Sequence, residues 1–227
     1  MKDDDVVCLI PARAGSTRVP GKNVAVVGGR SLLERAVTTA LEAFGSVVVS
    51  TDSEDYAAIA RAAGARVPGL RPADLATERA PMDGVVVHAV RTWAPPGAAI
   101  VVVAQPSSPF TEADDLRAVV RALRDTPGAR SSLTAVRVPA QSGFLLIEDE
   151  PGLARAAAPL LSALRTQELP PLWLPSGNAF ATWTERVAAG GPFVAEPIAL
   201  APVPERRALE IDDPSDMARA RLLAGAQ

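Results

Sequence analysis

The chain has 227 residues, a formal net charge of −3, one cysteine and one histidine. This length suits a single α/β domain over residues 1–227, and the mildly acidic charge argues against a protein that binds nucleic acid through a basic face. The lone Cys8 excludes an internal disulfide framework, and the lone His88 argues against a histidine metal site or a Ser/His/Asp triad. No signal peptide and no apolar stretch of membrane-spanning length is evident, so we expect a cytoplasmic protein without membrane contact.

Short apolar runs alternate with helical patterns along the first 140 residues. The predicted strands cover residues 6–10, 46–51, 99–104 and 131–138. The predicted helices cover residues 31–44, 53–65, 85–93 and 112–126. Because the strand runs are apolar without strict alternation, they suit strands that are buried on both faces. The pattern therefore predicts an α/β fold: a Rossmann-like, mainly parallel sheet with helices on both faces.

The last third of the chain is less regular. Strands are predicted at residues 144–149 and 192–200, and residues 152–168 are expected to be partly helical. A final helix is predicted over residues 213–225, with an Asp or Ser near its start.

The loop after the first strand, IPARAGSTRVPGKN at residues 10–23, carries an excess of positive charge. Gly15 and Ser16 can turn backbone N–H groups toward an anion, and three cations are available nearby. They are Arg13, Arg18 and Lys22. A solvated basic loop is the plain alternative, but the position after the first strand of a parallel sheet favours phosphate, and this much charge favours a triphosphate.

Two general nucleotide-binding templates do not fit this loop. A P-loop needs four residues between its glycines and a Ser or Thr after the lysine. Here five residues separate Gly15 from Gly21, and Asn23 follows Lys22. The dinucleotide motif G-x-G-x-x-G is absent from this turn.

Five segments of the chain together resemble the motifs of one enzyme family. In chain order they read IPARAGSTRVPGKN, RPADLATERAPMDGVVVHAV, AQPSSPF, RTQELPPLW and EIDDPSDM. On these segments the chain resembles the CMP-N-acylneuraminate synthetases, the cytidylyltransferases that activate sialic acid and related nonulosonates. The resemblance extends from about residue 6 to the final predicted helix.

The resemblance implies a binding site for CTP. The residues that would hold the triphosphate are Arg13, Ser16, Arg18, Lys22 and Asn23. Arg71 and the backbone around Ala80 would recognise the cytidine, and Gln105 would lie between the nucleotide and the acid. Arg13, Lys22 and Asp212 are the implied catalytic residues.

The resemblance also implies an acceptor site and a subunit contact. The implied acceptor-binding residues are Gln105, Ser107, Arg165, Gln167, Asn178 and Phe180. An element around residues 139–176 would contribute to dimerisation and acceptor binding, so we expect a homodimer.

Glu210 and Asp212 match the acidic pair that holds Mg²⁺ in the family. Two carboxylates are also what this cation commonly takes from a protein, and alternation in a strand-like LEID would point both to one face. The competing interpretation is that acids in this segment cap the last helix. We assign Glu210 and Asp212 to the metal, and Asp213 or Ser215 to the cap.

The implied reaction is attack of the acceptor hydroxyl on the α-phosphorus of CTP, with release of pyrophosphate. Arg13 and Lys22 would stabilise the charge that develops on the pyrophosphate, and metal-assisted deprotonation would replace a protein base.

Departures from the family pattern concentrate in the acceptor half. Asn178 is displaced within SGNAFATW, and Glu210 stands in the place of an aspartate. These departures leave three alternatives: 3-deoxy-octulosonate as acceptor, a small phosphonate as acceptor, or an inactive nucleotide-binding homologue. A sugar-1-phosphate nucleotidyltransferase is a separate alternative that the loop disfavours, because such enzymes begin with a glycine-rich GxGTR and this loop reads ARAGSTR followed by VPGKN.

Overall fold

The computed structural model describes residues 5–139, 146–150, 153–156 and 171–225. Within them the strands are β1 (Val6–Pro11), β2 (Val26–Val27), β3 (Arg30–Ser31), β4 (Val47–Ser50), β5 (Ile100–Ala104), β6 (Ser131–Val138), β7 (Leu146–Glu150), β8 (Leu153–Ala156), β9 (Leu172–Trp183) and β10 (Ile198–Pro202). The α-helices are α1 (Leu32–Ala43), α2 (Glu54–Ala62), α3 (Met82–Trp93), α4 (Ala113–Asp125), α5 (Thr184–Ala188) and α6 (Pro214–Gly225). Short 3₁₀ turns occur at Lys22–Val24, Ala73–Leu75 and Glu205–Arg207.

The main sheet has the strand order β10–β6–β9–β5–β1–β4 within the described residues. β1 pairs in parallel with β4 and β5, and β10 pairs in parallel with β6. β9 lies between β5 and β6 and runs antiparallel to both. This mainly parallel α/β sheet confirms the predicted fold class.

Both faces of the sheet are buried, which explains the continuous apolar strands of the sequence. In β1, Cys8 and Ile10 pack on one face with α1, α2 and α4, whereas Val7 and Leu9 pack on the other with α3 and α5. Each strand therefore needs apolar side chains at successive positions. The helices on both faces confirm that part of the prediction.

The helix boundaries follow local capping chemistry. Ser31 and Glu34 form a reciprocal capping box at the start of α1, and the Ser53 hydroxyl accepts the Tyr56 N–H at the start of α2. Asp213 Oδ1 accepts the N–H groups of Ser215 and Asp216 at the start of α6. The predicted Asp213 cap of the last helix is confirmed.

The structure corrects two predictions in the last third of the chain and adds a strand that was not predicted. Residues 172–183 form a long strand that the sequence did not predict, and the strand expected at 192–200 begins only at Ile198. Leu153–Ala156, at the start of the stretch expected to be partly helical, is a strand, and because residues 157–168 lie outside the described residues, the expected helix there stays a prediction. The LEID segment, residues 209–212, has no strand partner.

Over the described ranges, no helix is both long enough and apolar enough to cross a bilayer.

Candidate active site

The candidate site lies at the edge of the sheet where the parallel strands β1, β4 and β5 end. Three segments leave this edge: residues 12–21 after β1, residues 51–53 after β4, and residues 105–111 after β5. The C-terminal segment joins them, because the Ile211 N–H donates to the Ser107 carbonyl at 2.8 Å. Open parallel sheets bind ligands at this edge.

The loop after β1 is held in place by polar contacts to its backbone. The buried Asn23 donates its side-chain N–H to the Arg13 carbonyl at 2.9 Å, and the Asp52 carboxylate accepts the Ala14 N–H at 2.9 Å. The Ser16 N–H donates to the Ala14 carbonyl at 2.9 Å. Asn23 thus has a bracing contact within the loop that it was predicted to help form.

Two cations of this loop converge on Asp212. Lys22 Nζ donates to the Ile211 carbonyl at 2.6 Å and lies 3.5 Å from Asp212 Oδ1. Arg18 Nη2 lies 3.0 Å from the same oxygen, but its side chain is 72% exposed whereas that of Lys22 is 18% exposed. Because exposed ion pairs contribute little, Arg18 can exchange Asp212 for an incoming anion at small cost.

Arg71 lies beneath the same loop and is buried. Its Nε donates to Ser50 Oγ at 3.0 Å, and its Nη2 donates to the Ser50 carbonyl at 2.6 Å. Burial lowers the pKa of Arg71 to about 10, an effect that the nearby Asp52 carboxylate opposes and Arg13 reinforces. The guanidinium remains charged at neutral pH and has a fixed position.

The segment before α3 contacts the loop after β1. Arg13 Nη1 donates to the Ala76 carbonyl at 3.4 Å, and Thr17 Oγ1 donates to Glu78 Oε1 at 2.9 Å. Ala80, whose N–H donates to the Thr77 carbonyl at 3.3 Å, lies two residues before α3 begins. The structure therefore brings the predicted base-reading segment next to the predicted triphosphate loop.

On the opposite side of the site, Ser107 connects the loop after β5 to Glu210. Its Oγ lies 3.3 Å from Gln105 Oε1 and 3.2 Å from Glu210 Oε1, so its single proton serves one acceptor at a time. Burial raises the pKa of Glu210, and the charge of Asp212 raises it further. The two carboxylates are therefore close enough to influence each other.

Glu210 and Asp212 fit a divalent cation by their chemistry. Both are hard oxygen donors, and burial together with the Asp212 charge makes the ionised form of Glu210 unfavourable, which a cation would relieve. The part of the chain that the structure describes holds no cluster of three or more His, Cys, Asp or Glu side chains suited to a metal. A magnesium ion held by this pair would complete its shell with water and substrate phosphate oxygens, as this cation commonly does.

Two predicted acceptor-binding residues lie on β9, between β5 and β6. The Asn178 side chain is fully buried and donates to Thr111 Oγ1 at 2.8 Å and to the Arg207 carbonyl at 2.9 Å. Phe180 pairs with Val103 of β5 and packs edge-to-face on Phe193. Arg165 and Gln167, which were also predicted to bind the acceptor, lie outside the described residues.

Sequence reasoning missed two residues of this site. The sequence assigns no role to Asp52, because an acid at this position is equally explained as a cap of the following helix, yet its carboxylate accepts the Ala14 N–H. Its position directly after β4 was the available signal. Gly177, which lies against the Glu210 carboxylate, gave no signal beyond being a glycine.

Comparison of the sequence with known protein families identifies the family of this chain. The cytidylyltransferase family model matches residues 7–145, more than half of the chain. The chain therefore belongs to the cytidylyltransferase family.

Two curated relatives and one solved structure illustrate the similarity. The CMP-N,N'-diacetyllegionaminic acid synthase of Legionella pneumophila is 36% identical over 119 residues, 51% of each chain. The 3-deoxy-manno-octulosonate cytidylyltransferase of a Chelativorans species is 40% identical over 121 residues, 52% of this chain and 46% of that one. The matches thus span about half the length of these relatives.

The structure of a CMP:2-keto-3-deoxy-manno-octonic acid synthetase complexed with CTP superposes with a TM-score of 0.71. The superposition covers 97% of this chain and 98% of that one at 18% identity. At this identity the likeness supports the fold alone.

Proposed function

We propose that the chain is a CTP-dependent cytidylyltransferase of the EC 2.7.7 class. It transfers CMP from CTP to a hydroxyl of a sugar acid and releases pyrophosphate. One observation carries the proposal: Lys22 and Arg18, from the loop after β1, meet Asp212 from the C-terminal segment at the edge of the sheet that receives ligands. Family membership agrees with it.

The proposed acceptor is a nonulosonate such as an N-acylneuraminate. Of the two curated relatives, one is named for diacetyllegionaminic acid and the other for 3-deoxy-manno-octulosonate. The second name keeps 3-deoxy-octulosonate as the alternative acceptor, with a small phosphonate as the third. Gln105 and Ser107, at the end of β5 beside Glu210, are the described residues we assign to the acceptor side.

In the proposed reaction the acceptor oxygen attacks the α-phosphorus of CTP. A bond forms from that oxygen to the α-phosphorus, the bond from this phosphorus to the oxygen that bridges the α- and β-phosphates breaks, that oxygen leaves with the pyrophosphate, and the hydroxyl proton passes to solvent water. Arg13 and Lys22 stabilise the charge that passes to the pyrophosphate, and Arg18 adds a third, exposed cation. Ser16 and Asn23 contribute by holding the loop and its N–H groups, and Arg71 with the Ala80 backbone orients the cytidine.

Glu210 and Asp212 are the residues that would hold Mg²⁺. When bound, the cation neutralises phosphate charge and lowers the pKa of a coordinated hydroxyl. We further propose a homodimer through the element around residues 139–176, and a cytoplasmic location where nucleoside triphosphates are available; sizing by light scattering and cell fractionation test these two points.

The test is pyrophosphate release with CTP and Mg²⁺ against a panel of acceptors. The panel holds N-acetylneuraminate, diacetyllegionaminate, 3-deoxy-octulosonate and a small phosphonate, with ATP, GTP and UTP as nucleotide controls. We expect release with CTP and one class of acid. Release with sugar 1-phosphates alone would instead indicate a sugar-1-phosphate nucleotidyltransferase.

Lys22→Ala tests the assignment of the site. We expect a loss of kcat/KM for CTP of about a hundredfold, since Lys22 lies where charge develops. Arg121→Ala, an exposed change on α4, is the matched control and should leave kcat/KM unaffected. A Lys22→Ala enzyme with unchanged kcat/KM would refute the assignment. CTP binding by calorimetry without turnover on any acceptor would favour the inactive homologue.

A further inference from the structure

Gly177 lies against the carboxylate of Glu210. Its backbone is in the left-handed region with φ +72°, where glycine is favoured. A Cβ at this position would lie 2.4 Å from Glu210 Oε2 and 2.8 Å from Glu210 Cδ. The absence of a side chain at position 177 is therefore what gives the carboxylate its space.

The backbone directly after Glu210 is anchored at Ile211. The Ile211 N–H donates to the Ser107 carbonyl at 2.8 Å, and the Ile211 carbonyl accepts Lys22 Nζ at 2.6 Å. The Glu210 carboxylate itself lies 3.2 Å from Ser107 Oγ. Because the backbone is fixed, an added Cβ would displace the end of the Glu210 side chain and leave the chain path unchanged.

The expected displacement is large for a metal ligand. Non-bonded carbon and oxygen atoms settle at roughly 3.5 Å, so the carboxylate would retreat by about 1 Å from its present place. Metal–ligand distances tolerate only about 0.2 Å, and Mg²⁺ demands near-ideal geometry. A cation shared by Glu210 and Asp212 would lose one of its two protein ligands.

We propose that Gly177 is a positioning residue for Glu210, and that its missing side chain sets the place of this carboxylate relative to Asp212. The inference rests on the proposed function, because the carboxylate matters there as a cation ligand. It predicts that a change at 177 acts on cation binding beyond its effect on folding.

The test compares Gly177→Ala with Gly128→Ala. Gly128 has φ +80° and no atom within 4 Å of the place that an added Cβ would take, so this control carries the same backbone strain without the collision. Both variants should lose a similar amount of thermal stability. In the presence of CTP, Gly177→Ala should bind Mn²⁺ at least tenfold more weakly than the wild type, whereas Gly128→Ala should bind it normally. Equal Mn²⁺ affinity of the two variants would overturn the inference.

A second variant checks that the effect passes through Glu210. Asp is one methylene shorter than Glu, so Gly177→Ala combined with Glu210→Asp should bind Mn²⁺ more tightly than Gly177→Ala alone. If the free-energy loss of Mn²⁺ binding in the double variant equals the sum of the losses in Gly177→Ala and in Glu210→Asp, the inference is wrong. Should Gly177→Ala not fold, Gly177→Asn replaces it, because Asn adopts left-handed backbone more readily yet still brings a Cβ.

The proposed function and this inference fail in different ways. Wild-type protein that binds neither CTP nor Mn²⁺ would refute the function. A crystal structure of Gly177→Ala judges the inference independently of any ligand. Loss of the contact between Glu210 and Ser107 supports the inference, and a carboxylate in its original place overturns it.

Discussion

Asp52 balances the cations of the candidate site without belonging to the proposed metal pair. Its carboxylate accepts the Ala14 N–H at 2.9 Å, which fixes the start of the loop after β1. Its charge also supports the protonated form of the buried Arg71 against burial and against Arg13. One carboxylate therefore sets the shape of the loop and lets two guanidinium groups lie near each other.

Asp52→Ala should weaken CTP binding more than it slows turnover. Hydrogen bonds to charged groups are worth about 1.5–3 kcal/mol, so we expect the KM for CTP to rise on the order of tenfold or more. Asp52→Asn keeps an oxygen acceptor for Ala14 and should retain more affinity than Asp52→Ala. Steady-state kinetics and calorimetry with CTP measure both effects.

The control for this prediction is Asp55→Ala, an exposed change in the first turn of α2. It should leave the KM for CTP at the wild-type value. A tenfold rise in both variants would mean that Asp52 acts only through general charge near the site.

At this scale the sequence could predict which residue types meet, but could not predict what each one contacts. Lys22 and Asp212 were both expected at the site, and the structure places them 3.5 Å apart. Asn178 was expected at the acceptor and instead bonds Thr111 inside the fold. The residue type in a motif does not show whether a polar side chain contacts a ligand or forms a hydrogen bond within the fold.

At the scale of elements, α1 orients the loop that precedes it through its capping box. The Ser31 hydroxyl accepts the Glu34 N–H at 3.2 Å, and Glu34 Oε2 accepts the Ser31 N–H at 2.9 Å. The hydrogen bonds from Ser31 lower the pKa of Glu34 below its usual range. The box fixes where α1 begins, and therefore where the β2–β3 hairpin ends.

Ser31→Ala should destabilise the protein by about 1 kcal/mol at neutral pH, as is typical for loss of an N-cap. Because the pKa of Glu34 is lowered in the folded state, its stabilising contribution is present above the ordinary carboxyl range and is lost as the pH falls through the lowered value. The difference between wild type and Ser31→Ala should therefore shrink in acid. Urea unfolding at neutral pH and again below the ordinary carboxyl range measures it.

Ser53→Ala is the matched control, because the Ser53 cap of α2 has no reciprocal carboxylate. Its loss of stability should be similar at neutral pH and should change less with pH. The same shrinkage in acid for both variants would contradict the role assigned to Glu34.

Elements with strong local patterns could be predicted, and β9 could not. Strand β6 and helices α1 and α4 match the predictions to within a residue or two, because both periodicity and caps mark them. β9 contains Pro175 and Gly177, which are typical of turns. The sheet tolerates them because the register of β6 against β9 shifts between Leu133 and Ala135, beside Pro175.

At the scale of the whole molecule, Arg207 ties the C-terminal segment to the start of α4. Its Nη1 lies 2.6 Å from Glu112 Oε2, and its Nη2 lies 2.8 Å from Asp115 Oδ1. Asp115 is only 3% exposed, and the Arg207 carbonyl accepts a hydrogen bond from Asn178. These contacts hold residues 208–212 in their place at the site. Because they join residues far apart in the chain, local sequence patterns do not predict them.

Arg207→Met should therefore destabilise the fold and disturb the site together. Removing one partner of a buried ion pair costs about 3–5 kcal/mol, because the remaining charge is left uncompensated, and here the partial exposure of Glu112 favours the lower figure. Arg61→Met removes an exposed pair with Glu54 and should cost less than about 1 kcal/mol. Urea unfolding gives both values, and CTP calorimetry on the folded variants should show weaker binding for Arg207→Met only. If Arg207→Met and Arg61→Met lost equal unfolding free energy and equal CTP affinity, the C-terminal segment would hold its place at the site without Arg207.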